Sequence, residues 1–522
     1  MFLSSVLAAI TLGAPFSDGA VLQRGMKVPV WGKVVPDTEG LAKPGEGGPK
    51  VVLPGKRKIT VTFAGQSKTV ESDMFSGRWK VEFDPMETSA EGRTMIVVEK
   101  KPGFLFDSTV SSLEIKDVLV GEVWFASGQS NMECPIWGSA CRYRDFEGGL
   151  MTTMTRLPNV RYVKVPRNWS VEPEPISAKW CKFIPEDLQS FCVAKTGSGR
   201  TNHNSLSAVA FYYARELYLA LGIPVGIVDA SWGGVNIDCF IPRCGWDDCA
   251  PEIKWLADYK LKKDWKAETD KKDPVSAAHK QPTVLWNAMV DAFTPMAMRG
   301  FIWYQGCSNH GEGDIYALKM HALYNGWSQK FENPNLRLYY VQLAPWGKDI
   351  AKMQIAQAQF ECEQPNAAMA IVNDVGNLND IHPNEKGIVG IRLALHALKR
   401  DYGFADIQDN SPTVKGWKVE GDTAVLAFDN AKWLYQYNPD FSLTTRFELA
   451  GADGVFKPAE IQNFVKGKRG GRPRGRIDGA EIRLKAEGVS EPVRVRYLHA
   501  APWTGNVYND ADLPLGAFEL GR

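Results

Sequence analysis

The sequence predicts an α/β fold, with a parallel, doubly wound sheet set between an N-terminal and a C-terminal β-rich region. Three observations predict it. Short segments alternating apolar and polar residues fill the first 115 or so positions. From Val118 the pattern changes to continuous apolar runs separated by stretches of helical periodicity, as expected for strands covered on both faces. From about residue 402 the alternation returns.

Residues 27–32 and 59–65 read as strands of a small β-sandwich over 1–115, and 35–57, rich in Pro, Gly and charge, as an exposed loop. The central domain, 116–401, takes its strands from the runs 118–126, 225–228, 301–304, 338–341 and 369–372. Ser207 can cap a helix carrying Val209, Tyr213 and Leu217 on one stripe. A last helix over about 383–399 would put Ile388, Ile391, Leu395 and Leu398 on one face. The C-terminal domain, 402–522, begins with strands such as 423–428 and ends with ones such as 493–497. The basic, glycine-rich run 466–476 reads as a solvated hairpin tip.

Composition excludes several function classes. The chain has 61 basic and 60 acidic residues, so no net field draws it to nucleic acid or anionic lipid. No apolar run reaches the length of a membrane span, so no membrane insertion is expected. At 522 residues it exceeds one ordinary core. Its seventeen tryptophans suit either β-domain cores or sugar stacking, and cores are the plainer reading. The N-terminus is apolar but has no Lys or Arg ahead of the apolar stretch, so it makes a weak leader. The nine cysteines include no CxxC pair, so a zinc site is not expected. Local disulfides could join Cys134 to Cys141, Cys181 to Cys192, or two of Cys239, Cys244 and Cys249; buried free thiols are the simpler reading.

The chemistry sits at strand ends. Gly128-Gln129-Ser130-Asn131-Met132 follows the first apolar run, so Ser130 stands where a strand stops and the chain turns. Such a turn exposes a hydroxyl beside backbone N–H groups, which suits a nucleophile with part of an oxyanion hole. Met132 replaces the second glycine of a Gly-x-Ser-x-Gly elbow, so the α/β-hydrolase pattern does not apply. A partner lies about 250 residues on, in Asp380-Ile381-His382-Pro383. An imidazole at His382 can take the serine proton, and a carboxylate can fix its tautomer. Gly233, Gly234, Gln305 and Asp374 also follow strand ends, where functional residues of open parallel sheets collect.

These segments, with Ser231-Trp232-Gly233-Gly234 and Tyr304-Gln305-Gly306-Cys307-Ser308-Asn309, resemble the sialate O-acetylesterase family of SGNH-type hydrolases, which includes acetylxylan esterase relatives. Phe16-Ser17-Asp18-Gly19 and Val21-Leu22-Gln23-Arg24 extend the likeness to the N-terminus. The resemblance implies a flavodoxin-like catalytic domain, no metal or other cofactor, and removal of acetyl groups from an O-acetylated carbohydrate. It implies Ser130 as nucleophile, His382 as base and Asp380 as orienting carboxylate, with Asp374 in reserve. Asp380 is closer to its histidine than is usual in such enzymes and could instead cap the following helix. The oxyanion hole would draw on Ser130, Gly233 or Gly234, and an amide of Gln305 or Asn309. Gln129 and Arg243 would contact substrate, with Arg142 and Arg200 as further cations for a sialate carboxylate. Family analogy also implies export to the periplasm or medium. Cys307 stands where the family usually has Glu, and Val235, Asp238 and Phe240 depart from its pattern after the glycine pair. Two alternatives are therefore kept: a deacetylase of xylan or another plant glycan, and a glycan-binding protein that has lost catalysis.

Overall fold

The computed structural model describes residues 10–35, 55–136, 156–187, 206–254, 278–437, 446–469, 472–499 and 503–521. The chain is a mixed α/β protein with several sheets. Seven strands carry the central layer: β1 Ser108–Gly128, β2 Leu157–Lys164, β3 Cys181–Phe183, β4 Val225–Ser231, β5 Gly300–Tyr304, β6 Arg337–Val341 and β7 Ala367–Ala370. Their order is β3-β2-β4-β1-β5-β6-β7, parallel throughout except for the antiparallel edge β3. All five expected apolar runs are in it, as β1, β4, β5, β6 and β7. Strands β4, β5 and β7 are buried at every position, which is why they read as unbroken apolar runs.

Strand β1 does two jobs. Its first half pairs antiparallel with Ser89–Lys101 of the N-terminal region; its second half lies parallel between β4 and β5. Exposure alternates along the first half and vanishes along the last eleven residues, matching the change in sequence pattern at Val118. The boundary expected at 115/116 therefore falls inside one strand. The N-terminal strands, among them Val28–Val34 and Lys58–Phe63, share a hydrophobic core with the central sheet. Beyond residue 412 a seven-stranded and a four-stranded antiparallel sheet enclose a separate core. The run 466–476 falls on the hairpin Val465–Arg469/Arg472–Ile477, as expected.

Five helices matter here: α1 Ser130–Glu133, α2 Ala208–Leu221, α3 Gly313–Lys330, α4 Ala351–Glu363 and α5 Lys386–Tyr402. Ser207 caps α2 as anticipated, accepting from the Ala210 N–H at 3.1 Å, and Val209, Tyr213 and Leu217 are buried. Helix α5 corrects its expectation. It starts at Lys386; Leu398 is buried and Ile388 and Leu395 are half-buried, but Ile391 is exposed while Val389, Gly390, Leu393 and Ala397 face inward. The inward stripe also holds Arg392 and His396, which are bonded to Asp374 and Asp409, so hydropathy alone found only part of the buried face. Gly390 permits the contact with α2: a Cβ there would lie 2.7 Å from the Val209 carbonyl oxygen.

The Val21-Leu22-Gln23-Arg24 segment has a physical role in this arrangement. Glu122, fully buried on β1, accepts from Gln23 at 2.9 Å, Arg24 at 2.7 Å and Arg299 at 3.1 Å. Burial pushes its carboxyl upward, but the Arg299 and Arg24 guanidiniums and the Gln23 amide outweigh this and hold it below the usual range. The unfolded chain has an ordinary carboxyl, so this stabilisation is present above the ordinary range and lost as pH falls through the depressed folded value. Glu122→Ala leaves Arg24 and Arg299 facing a buried void, and a loss of about 3–5 kcal/mol is expected. Thermal denaturation at neutral pH checks this; an unchanged midpoint would count against it.

Candidate active site

Strand β1 ends at Gly128, whose φ of +138° suits glycine and where a Cβ would lie 2.3 Å from the Tyr304 carbonyl oxygen. Gln129 then donates its N–H to Tyr304 at 3.0 Å, and Ser130 opens α1. The chain thus crosses onto β5 and turns, which leaves Ser130 half-buried at the carboxyl edge of the sheet.

His382 lies on the loop between β7 and α5, and its Nε2 is 2.9 Å from Ser130 Oγ. Asp380 Oδ1 accepts the His382 backbone N–H at 3.0 Å and lies 3.4 Å from Nδ1. With Nδ1 protonated toward Asp380, Nε2 is left to accept the serine proton. Burial and then the nearby Lys386 charge lower the imidazole's pKa, outweighing the upward pull of Asp380. The ring is therefore neutral, in the form a base needs, over more of the pH range. Helix α5 is flanked by Glu385 at its cap position, so Asp380 is not the cap of that helix. Asp374, the reserve carboxylate, is committed to Arg392 through contacts of 2.7 and 2.8 Å.

Several expected contacts are corrected. Gln129, expected at the substrate, is buried, and its Oε1 accepts from Gln305 Nε2 at 3.1 Å, the Gly306 N–H and the Ser308 N–H. Gln305 is fully buried, and its amide donates to Gln129, to the Val235 carbonyl at 3.1 Å and to Asn309 Oδ1 at 2.7 Å. Asn309 donates to Glu312 at 2.8 Å and approaches Asp238 at 3.4 Å. In this arrangement both side-chain amides are engaged with each other and with neighbouring groups. Gly233 is likewise committed, its N–H donating to Glu133 Oε2 at 2.8 Å. Gly234, with φ of +76°, has nothing within 4 Å of where a Cβ would project. Arg243 sits on the short helix Arg243–Asp247, paired with Asp247 at 2.9 Å. It lines a cleft that includes none of Ser130, His382 or Asp380, because the 3-10 turn Ile237–Phe240 carries the chain away from the β4 end. Arg142 and Arg200 lie outside the described residues.

Sequence reasoning missed three residues. Glu133, one position beyond the serine motif, is bound by Arg167, which stands 5.6 Å from the Trp232 ring. This pair fixes the glycine loop against the serine turn. Lys386 is fully buried, where a lysine at a helix start would ordinarily be read as surface. Proximity to the motifs was the only available signal for any of them. Cys307, in its buried setting, has its thiol pushed up to about 12 by burial and stays neutral, with Asn131 Nδ2 3.8 Å from its sulfur. Cys134 is disulfide-bonded, correcting the free-thiol reading there, whereas Cys181, Cys239, Cys244 and Cys249 are thiols outside any disulfide. Among the described residues no group of three or more His, Cys, Asp or Glu is placed to hold a metal, and no helix is long and apolar enough to cross a membrane.

A family model described as carbohydrate esterase, sialic acid-specific acetylesterase matches residues 120–399. The sialate O-acetylesterase of Rattus norvegicus is 27% identical over 406 residues, covering 69% of this chain and 71% of the relative. That of Homo sapiens is 26% identical over 383 residues, covering 68% and 67%. Among solved structures, a carbohydrate acetylesterase from Xanthomonas citri superposes with a TM-score of 0.74 at 27% identity, covering 98% of this chain and 99% of that one.

Proposed function

Since the chain belongs to the family of carbohydrate esterases described as sialic acid-specific acetylesterases, we propose that it hydrolyses O-acetyl esters of sialic acid through an acyl-serine intermediate. The observation that carries this reading is the 2.9 Å separation of His382 Nε2 from Ser130 Oγ, two atoms 252 positions apart in sequence. Ser130 Oγ attacks the acetyl carbonyl carbon as His382 takes its proton. The carbonyl π pair moves onto oxygen, where the Ser130 and Gly234 backbone N–H groups would receive it. Collapse breaks the bond to the sugar oxygen, which leaves with the proton from His382. Water, deprotonated by the same imidazole, then attacks the acyl-serine; collapse breaks the acyl–Oγ bond, Ser130 Oγ takes the proton back from His382, and acetate leaves. Asp380 holds the imidazole tautomer and stabilises the imidazolium in both halves.

The same reading assigns the central sheet and its helices, up to about residue 401, to an SGNH-type, flavodoxin-like catalytic domain, joined through β1 to a β-sandwich-like N-terminal region and followed by a β-sandwich-like domain at 402–522. A second substrate reading, another acetylated carbohydrate such as a plant glycan, is consistent with the whole-chain likeness to a protein described only as a carbohydrate acetylesterase. Acetate release from O-acetylated sialic acid and from acetylated xylan, compared at equal acetyl concentration, separates the two. Faster release from the sialic acid ester is expected; turnover of xylan alone would replace the substrate, and turnover of neither would refute both.

A further inference from the structure

We propose that Lys386 is a positioning residue for this reaction, its ammonium tying the turn that carries the nucleophile to the loop that carries the base. The inference rests on the acyl-serine reading above. Lys386 Nζ donates to Asn131 Oδ1 at 2.6 Å and to the Pro383 carbonyl at 2.8 Å. Asn131 in turn donates from Nδ2 to the Ile381 carbonyl at 3.1 Å. Asn131 directly follows Ser130, while Ile381 and Pro383 flank His382 on either side. Three hydrogen bonds, two of them from one ammonium, therefore span the gap that the catalytic contact must close. A displacement of about 1 Å between reacting groups can cost about 10²-fold in rate, so this tie bears on rate.

The arrangement is expensive for the fold. Lys386 is fully buried and, among the described residues, forms no ion pair; burial pushes its ammonium down to about 7. The groups facing it are the Cys307 thiol from the loop after β5, Asp380 and His382 from the histidine loop, and the Tyr304 ring, whose centroid is 5.7 Å away. Helix α2 packs Tyr212 against the neighbouring Gly387 and Gly390. Replacing a buried charge by an apolar residue of similar volume is commonly neutral or stabilising, so a lysine kept only for packing would have little reason to stand here. Its charge has a second effect. It lies beside His382 and opposes the imidazole's protonation, extending the base form toward lower pH.

Three variants test this on the full chain with p-nitrophenyl acetate: Lys386→Met, Lys386→Arg and Asn131→Ala, with Ser130→Ala in parallel. Lys386→Met should lose roughly ten- to a hundredfold in kcat/KM, move the acid limb of the pH profile to higher pH, and melt at or above the wild-type temperature at pH 6. Lys386→Arg, which keeps the charge, should retain the wild-type acid limb. Asn131→Ala cuts the tie but leaves the charge, so its rate should fall without movement of the acid limb; this holds the proposal open to refutation even if the methionine variant does not fold. A wild-type rate and profile in Lys386→Met, a wild-type rate in Asn131→Ala, or a parallel loss of rate and melting temperature in Lys386→Met would overturn it. Undiminished turnover in Ser130→Ala would instead remove the acyl-serine reading itself.

Discussion

Ser130→Ala is expected to lower kcat/KM on p-nitrophenyl acetate by about 10⁴-fold or more while leaving the melting temperature close to that of the wild type. The rate estimate follows from losing the nucleophile outright, which leaves only the help that the remaining binding groups give to water. The stability estimate follows from position. Ser130 is half-buried at the first residue of α1, and the bonds that hold this turn run through the Gln129, Ser130 and Tyr304 backbones, which alanine preserves. His382→Ala should cost a similar factor, because an unactivated serine hydroxyl is a poor nucleophile. The double variant should then be little worse than either single one, since the pair acts as a unit. Turnover in Ser130→Ala equal to that of the wild type would refute the mechanism. Additive losses in the double variant would mean that Ser130 and His382 act separately, despite lying 2.9 Å apart.

Much of the scaffold was legible because parallel strands buried on both faces leave an unbroken apolar record, and all five expected runs are strands of the central sheet. Strand β2 was not legible. Its run includes Arg161, which is buried, and Lys164, whose side chain is enclosed, both held by polar partners that the local sequence does not reveal: Arg161 bonds Asp117 and the Gly19 carbonyl, and Lys164 bonds Asp229 and Ser231. The N-terminal boundary failed for a related reason, because one continuous strand serves two sheets and only its burial changes. At the site, the segments could be found but their division of labour could not. Gln129, Gln305 and Asn309 carry amides suited to an acyl oxygen, yet in the fold they satisfy one another and the backbone. Whether an amide points outward or inward depends on atoms far away in sequence. Lys386 is the extreme case, since its surroundings come from three separate loops.

Asp380→Asn is expected to lower kcat/KM by about 10²–10⁴-fold, the range for an asparagine that leaves geometry intact but favours the wrong imidazole tautomer. The pH profile should carry a second signature. Asp380 pulls the His382 pKa upward, so removing its charge should move the acid limb to lower pH, opposite to the shift expected from Lys386→Met. Asp374→Asn provides the contrast. Asp374 holds Arg392, which is itself buried, through two contacts, so its loss leaves a guanidinium without its partner and should cost about 3–5 kcal/mol in stability. Its rate per folded molecule should stay near that of the wild type. Measured together, one aspartate should move rate and pH dependence and the other the melting temperature; the reverse pattern would transfer the orienting role to Asp374. The close spacing of Asp380 and His382 supports the first outcome. Two residues apart, the carboxylate can accept the histidine's backbone N–H at 3.0 Å with the same oxygen that lies 3.4 Å from Nδ1. One group thereby fixes both the loop and the ring, so the short spacing couples the imidazole's position to its tautomer.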